Sequence, residues 1–347
     1  MSIRHWIVVI TLSVVILDVE AVKRGESHFD VAHPLDLSIV YSRNRLRTTS
    51  SVMQSFDFDF DRNLIFYTQL NRKYRAYLCW AEPNSEKLKG CMELRYFGHV
   101  SNFSVENAAD RNFLWVSNYA SKREDGTYWD SQIISRIPIV DGKVVNPWDC
   151  TDNYYFGEKD LAVAVDFENR RLITLCIGMG KFTVYPLDKL NELPIEEITL
   201  SPIVYGGDAA DEPESTKTFK VMARDCRMVK PISSFTVSRE PGIAFQGFDI
   251  FGDTVYQMRG NGNKNDGKVP STAWLHVFDI KGNTLVYKQP LDAVADMDKL
   301  KEAGITDSGY MEPEGVKYRN GILYVGFASK NLDDRRKGNI FKYESIK

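Results

Sequence analysis

One pattern recurs five times along this chain, and it limits the fold more than any other feature. It is a strand with large apolar residues, a tight turn rich in Asp, Asn, Arg or Gly, and a second strand of the same kind. The first copy runs Met53 to Phe58, turns at Asp61-Arg62-Asn63 and returns through Leu64 to Tyr67. The second runs Phe103 to Glu106, turns at Asp110-Arg111-Asn112 and returns through Phe113 to Val116. The third joins Leu161–Val165 to Leu172–Leu175, and the fourth joins Phe245–Ile250 to Thr254–Tyr256. The fifth joins Pro313–Lys317 to Ile322–Val325.

Five antiparallel pairs, each followed by further strand-like segments such as Ile133–Ile137, Trp274–Asp279 and Asn339–Tyr343, predict radial blades around an axis. The expected fold is all-β, a five-bladed β-propeller over residues 37–347 with loop insertions and at most one or two short helices. Insertions are expected between blades three and four, at Gly206–Thr218, and between four and five, at Gly260–Lys268. Leu291–Ala303 has helical spacing. Leu37–Tyr41 is expected to pair with the last blade and close the ring, which removes free edges.

The chain start sets the expected compartment. Arg4 and His5 precede Trp6–Leu17, an apolar run in which only Thr11 and Ser13 are polar. A spanning helix needs about 20 apolar residues, so this run reads as the core of a signal peptide, residues 1–21, cut after Val19-Glu20-Ala21. Residues 22–36 then form an N-terminal extension, and Lys23-Arg24 is either a second processing point or an exposed basic pair. A secreted, extracellular protein is expected.

A hydrophobic share of 43% and an aromatic share of 12% suffice for a large core. A net charge of −3 excludes an electrostatic nucleic-acid binder. Of five cysteines, Cys79 and Cys91 flank a polar turn and suit a bridge across a hairpin. The odd count leaves another of Cys150, Cys176 and Cys226 unpaired or paired between molecules.

Several short motifs carry a resemblance. They are Met53-Gln54-Ser55-Phe56 with Tyr67-Thr68-Gln69, and Gly98-His99 leading into Val105-Glu106 and Leu114-Trp115. Gln246-Gly247-Phe248 follows, then Glu312-Pro313-Glu314-Gly315-Val316 with Leu323-Tyr324-Val325-Gly326-Phe327. Together they resemble the propeller of phage receptor-binding proteins and teichoic-acid biosynthesis protein C, a group that includes helveticin J-like bacteriocins. The resemblance implies a five-bladed propeller, recognition of teichoic-acid-like wall polymers in some members and bactericidal secretion in others. It carries no agreed catalytic residue. Two departures stand out: Val100 follows Gly98-His99 where a second glycine is common, and the third repeat opens on Leu161 without Gln or Glu.

Gln54, Gln246, Glu312 and Glu314 open innermost strands, which places amides and carboxylates at one mouth of the axis. They would offer hydrogen bonds to hydroxyls or a cation, or else bond neighbouring backbone and hold the blades in register. His99 precedes an inner strand near the same mouth. It would bind a phosphate or carry a proton, or else serve as a bonded structural residue. Asp57-x-Asp59-x-Asp61 departs from a calcium loop at Arg62 and Thr68, so the acidic loop at Asp208, Asp211, Glu212 and Glu214 is the better place for a structural cation. Gly178-Met179-Gly180-Lys181 reads as a hairpin turn, because Phe182 replaces the Ser or Thr of a phosphate loop. Trp129, Trp148, Tyr154 and Tyr155 fall in connecting loops, to stack on sugars or pack back onto the blades. Asn102-Phe103-Ser104 is a glycosylation acceptor on a probable inner strand, where it is not expected to be used.

The expected activity is therefore binding, with no catalytic or metal residue and no cofactor. The ligand is a cell-surface glycan or a teichoic-acid-like phosphate polymer, bound by a monomeric toxin or defence protein. Two alternatives stay open: a membrane-active venom or salivary toxin meeting a target membrane, and a secreted hydrolase or lyase using His99 and the axial carboxylates.

Overall fold

Every one of the five repeats becomes the inner half of a blade. The structure, a computed structural model, describes residues 41–43, 51–71, 75–83, 85, 87–206, 213–264, 268–333 and 335–343. The expected signal peptide and N-terminal extension lie outside the described residues. The innermost strands are Met53–Asp59, Ser104–Asn107, Leu161–Asp166, Ala244–Phe251 and Tyr310–Arg319. Their partners are Leu64–Leu70, Asn112–Asn118, Arg171–Cys176, Thr254–Asn261 and Ile322–Lys330. Third strands follow at Ala76–Ala81, Ile133–Pro138, Lys181–Pro186, Thr272–Asp279 and Arg336–Tyr343. The result is a five-bladed propeller.

Both faces of a blade are buried, because each packs against a neighbouring blade. Period two therefore sorts side chains between two cores. In the first blade Leu64, Phe66 and Leu70 face the second blade, beside Val105, Leu114 and Val116. The intervening Ile65 and Tyr67 face the fifth, beside Tyr324 and Ile340. The third blade sends Leu161, Val163 and Val165 one way and Ala162 and Ala164 the other. A further cluster fills the seam between blades four and five around Tyr256, Met258, Val316 and Leu323. Each large side chain so buried contributes roughly 1.5–3 kcal/mol, distributed around the ring.

The ring closes through the N-terminal segment. Tyr41–Arg43 lies antiparallel on Arg336–Tyr343, with Tyr41 opposite Ile340, so the last blade takes a strand from each end of the chain. Residues 37–40 of the expected closing segment are outside the described residues. Cys79 and Cys91 sit opposite each other on neighbouring strands and are disulfide-bonded, while Cys150, Cys176 and Cys226 are buried and free.

Three placements differ from the sequence expectation. The insertion containing Gly206–Thr218 lies within blade three, between its third strand and Ser233–Thr236. Its flanks leave that blade: Lys220–Asp225 adds in parallel to Asn153–Tyr155, with Ile195–Thr199 beyond it, making a six-stranded second sheet. Backbone groups left open on the short fourth strand of blade two explain this destination. Gly260–Lys268 connects the second and third strands of blade four, not blades four and five. The segment Leu291–Ala303 divides into a 3-10 turn, Asp292–Ala295, and a helix, Met297–Glu302, whose N-terminus Asp296 caps by accepting from the Lys299 amide. A further short helix, Leu187–Asn191, buries Leu187 and Leu190. Among the described residues no helix is long and apolar enough to cross a membrane.

Facing the axis, inner strands have no neighbouring strand on one edge, so side chains meet their amides. Asp57 Oδ2 accepts from Val105 N at 2.8 Å, Ser104 Oγ from Val165 N at 3.0 Å, and Asp249 Oδ2 from Tyr318 N at 2.8 Å. Each bond links one blade to the next. Blade three carries Ala164 at the matching position, and two substitutes act there: Asn102 Oδ1 takes Phe248 N and Asp166 Oδ2 takes Gly252 N. Blade five carries Lys317, which donates to the Phe103 carbonyl across the centre. Arg319 then joins both aspartates, with Nη2 2.7 Å from Asp57 Oδ2 and Nη1 2.6 Å from Asp249 Oδ2. Burial works against the guanidinium charge, but Asp249 and Asp57 outweigh it and hold Arg319 above its ordinary value. Asp57 and Asp59, the start of the calcium-like sequence, are thus committed to Arg319 and Arg62.

Removing Arg319 leaves two buried carboxylates without their shared cation. Arg319→Ala is expected to lower unfolding free energy by roughly 3–5 kcal/mol in urea denaturation, with a smaller loss for Arg319→Lys. A loss below about 1 kcal/mol, the range of an exposed pair, would show that the cluster does not hold the ring.

Candidate functional site

Three inner strands carry the same irregularity at the same end. In blade one the pairing jumps from Met53↔Gln69 to Ser55↔Thr68, which leaves Gln54 as an extra residue. In blade four it jumps from Phe245↔Arg259 to Gly247↔Met258, leaving Gln246. In blade five it jumps from Pro313↔Phe327 to Gly315↔Gly326, leaving Glu314. Each is a β-bulge, which re-aims the extra side chain while the strand continues. Backbone freedom is required just after two of them. Gly247 has φ +127° and Gly315 φ +148°, and a Cβ on Gly247 would stand 3.0 Å from the Gly315 Cα. Side chains are therefore excluded at this crossing of blades four and five.

The bulged residues line one cavity of about 720 Å³ at this mouth of the axis, together with His99, Glu312, Trp129, Gln257 and Arg259. All five residues singled out from sequence thus share one wall system. Gln54 is buried. Gln246 Nε2 donates to the Gly260 carbonyl at 3.1 Å, so its amide oxygen is the group left for a ligand. The Tyr310 hydroxyl donates to Glu312 Oε2. Glu314 is 3% exposed and its Oε1 has no hydrogen-bond partner. Burial, and then the charge of Glu312, pushes the Glu314 carboxyl well above its ordinary range. Both effects favour the protonated form of the carboxyl.

His99 reaches the cavity from the loop before blade two, where Gly98 and Val100 both have positive φ, at 74° and 49°. Its ring stacks on Trp129, with centroids 4.9 Å apart and planes 16° from parallel. Burial pushes the imidazole down to about 4, so it stays neutral and offers one donor and one acceptor. Trp129 belongs to a two-stranded ribbon, Ser121–Lys122 with Tyr128–Trp129.

Two cavity residues have only a faint sequence signal. Gln257 and Arg259 alternate with Tyr256, Met258 and Gly260 in the second strand of blade four, and both are buried. The loop Arg239–Ile243 forms part of the rim. The other candidates are placed elsewhere. Tyr154 and Tyr155 lie on a strand of blade two and not in a loop, and Tyr154 is buried against Trp115. Trp148 packs on Phe219 and Tyr96. Asn102 is buried, its Nδ2 donating to the Val163 carbonyl at 2.7 Å, so an attached glycan would break a bond between blades. Gly178 and Gly180 fall in the hairpin turn between Arg171–Cys176 and Lys181–Pro186. Of the acidic loop, Asp208, Asp211 and Glu212 lie outside the described residues, and Glu214 pairs with Lys122 at 3.2 Å. Among the described residues no group of three or more His, Cys, Asp or Glu is arranged to hold a metal ion.

No family model and no curated protein sequence matches this chain. Among solved structures it is similar to the tail fiber of Staphylococcus aureus phage P68, at 14% identity and a TM-score of 0.62. That match covers 90% of this chain and 53% of the other, so the chain spans about half the length of the tail fiber chain. It supports the propeller fold. A glycoside hydrolase aligns at 8% identity and a TM-score of 0.41, over 90% of this chain and 93% of that one. Native Bacillus subtilis arabinanase Arb43A aligns at 11% and 0.39, over 87% and 95%. These two superpose too loosely to carry an argument.

The state of Glu314 has a consequence for stability. Its folded value is raised, so the unfolded chain loses this proton first, near 4.5, and wild-type stability falls as pH rises from there towards the folded value. Glu314→Gln removes that slope. The variant is expected to gain on wild type between acidic and neutral pH in urea unfolding. Parallel profiles would show an ordinary, freely ionising carboxyl.

Proposed function

We propose that the axial cavity binds a hydroxyl-rich polymer of a cell surface, a glycan or a teichoic-acid-like phosphate polymer, and that the protein is secreted to do so. The observation that carries this reading is the convergence of bulged Gln54, Gln246 and Glu314 with Glu312 beside the stacked His99–Trp129 pair. Amides and carboxyl groups match the donors and acceptors of sugar or polyol hydroxyls, and an aromatic wall suits the apolar face of a ring. The likeness to a phage tail fiber and the sequence resemblance to wall-polymer-binding propellers agree with it. The disulfide Cys79–Cys91 fits an oxidising compartment. Use as a toxin or defence protein rests on the sequence resemblance alone.

A hydrolase is the second reading, and one observation favours it. Glu314, whose buried carboxyl is shifted towards its protonated form, stands two residues from Glu312, and glycoside cleavage employs an unlike pair of carboxyls.

Binding of the purified protein to an array of glycans and wall polymers tests the first reading, with product release and liposome leakage followed on the same samples. Saturable binding is expected, weakened roughly 2–10-fold by Gln54→Ala or Gln246→Ala, the value of one hydrogen bond. Array binding that ignores both substitutions would remove the cavity from the reading. Product release abolished by Glu314→Gln would replace binding with hydrolysis, and leakage without array binding would replace it with membrane attack.

A further inference from the structure

The cavity contains a cation that no carboxylate among the described residues pairs with directly. Arg259 is 5% exposed. Its Nε donates to Gln257 Oε1 and its Nη1 to the Ser238 carbonyl, both at 3.0 Å, and both acceptors are uncharged. No carboxylate among the described residues lies within ion-pairing distance of it, in contrast to Arg319 on the axis. Glu240 acts on it only at longer range, because that carboxylate is held by Lys288 Nζ at 2.8 and 2.7 Å. Arg239 adds a second positive charge to the same rim, with its Nη2 on the Ile177 carbonyl.

Burying a cation without a counter-charge costs several kcal/mol, and a guanidinium cannot escape by losing its proton. We propose that Arg259 anchors an anion subsite in this cavity, taking a carboxylate or phosphate carried by the polymer and thereby selecting acidic over neutral ligands. The inference rests on the polymer-binding reading for its ligand class. It adds a chemical requirement that the amides and carboxyls do not impose.

Geometry and surroundings favour the assignment. Nε and one Nη1 proton are bonded, which leaves the second Nη1 proton and Nη2, the end of the planar fork that can meet a two-oxygen anion. The unpartnered Glu314 Oε1 shows that a second buried polar group in the same cavity also lacks its counterpart. His99, pushed down to about 4, is neutral, and burial disfavours the charged form of Glu314. Of the other two carboxyls in the lining, Glu312 sits on blade five and accepts from Tyr310, and Glu240 is paired with Lys288.

The test compares affinities of wild type, Arg259→Gln and Arg259→Lys for a neutral gluco-oligosaccharide, an oligogalacturonate and a glycerol phosphate oligomer at fixed salt. Wild type is expected to prefer an acidic probe by about tenfold or more, as for a charge-assisted pair. Arg259→Gln should bring the preference close to parity while binding of the neutral probe persists, and Arg259→Lys should keep part of it. Whichever acidic probe responds identifies the group as carboxylate or phosphate. A preference unchanged in Arg259→Gln would overturn the proposal and leave the polymer-binding reading standing. Failure of all three probes would count against polymer binding alone. The subsite is then read from thermal unfolding in inorganic phosphate: stabilisation of wild type but not Arg259→Gln upholds it, and equal shifts overturn it. Should Arg259→Gln not fold, Arg259→Lys decides, since it keeps the charge and loses the fork: an undiminished preference would refute the role of the guanidinium.

Discussion

Closing five sheets into a ring leaves the inner edge of every blade without a neighbouring strand, and much else here follows from satisfying those edges. Backbone amides in a dry interior need acceptors. The chain supplies them from side chains of the preceding blade, at Asp57, Ser104 and Asp249. Acceptors of this kind bring negative charge into the centre, so cations must accompany them. Lys317 and Arg319, both from the last blade, provide the balance. Fold closure and charge neutrality are thereby tied together: the blade completed by the N-terminal segment is also the blade that neutralises the axis.

The same inner strands do two jobs at their two ends. Beyond the bulge, towards Asp59 and Arg319, residues are spent on cohesion between blades. At it, Gln54, Gln246 and Glu314 line a cavity. A bulge permits this division because it adds one residue without changing which face the rest of the strand presents. Where no bulge is present, as in blade three with Leu161 and Ala162 in the cores, the strand contributes packing instead. The site therefore draws unequally on the ring, mainly on blades one, four and five, with His99 and Trp129 closing the side towards blade two.

What could be read from the sequence follows the same physics. Strand–turn–strand repeats are local and periodic, so the five blades and their inner strands were legible. Gln54, Gln246, Glu312 and Glu314 occupy matching places in those repeats, and their shared location followed from blade geometry. The bulges leave a one-residue slip in the alternation, Met53 before Phe56 and Phe58, Phe245 before Phe248 and Ile250, and Met311 before Val316 and Tyr318. So few residues precede each slip that no period is established there to be broken. Arg259 looked like one charged residue in a strand of mixed character, and only its neighbours reveal that no described carboxylate pairs with it. The flanks of the insertion around residue 206 joined blade two because of an open edge there, a long-range fact that no local pattern encodes. Trp129 acquired meaning only through its contact with His99.

Arg259 is buried and Arg319 is 18% exposed, and the fold treats these two guanidiniums oppositely. Around Arg319 two aspartates are placed to within 2.7 Å, and Lys317 completes a cluster of two positive and two negative charges. Around Arg259 the acceptors are an amide and a carbonyl, and the one acid whose charge reaches it is held by a lysine. A chain that can neutralise one guanidinium so fully has no structural need to leave another bare. Because the uncompensated charge and the unpartnered carboxyl of Glu314 open onto the same cavity, their cost is best understood as offset when that cavity is filled.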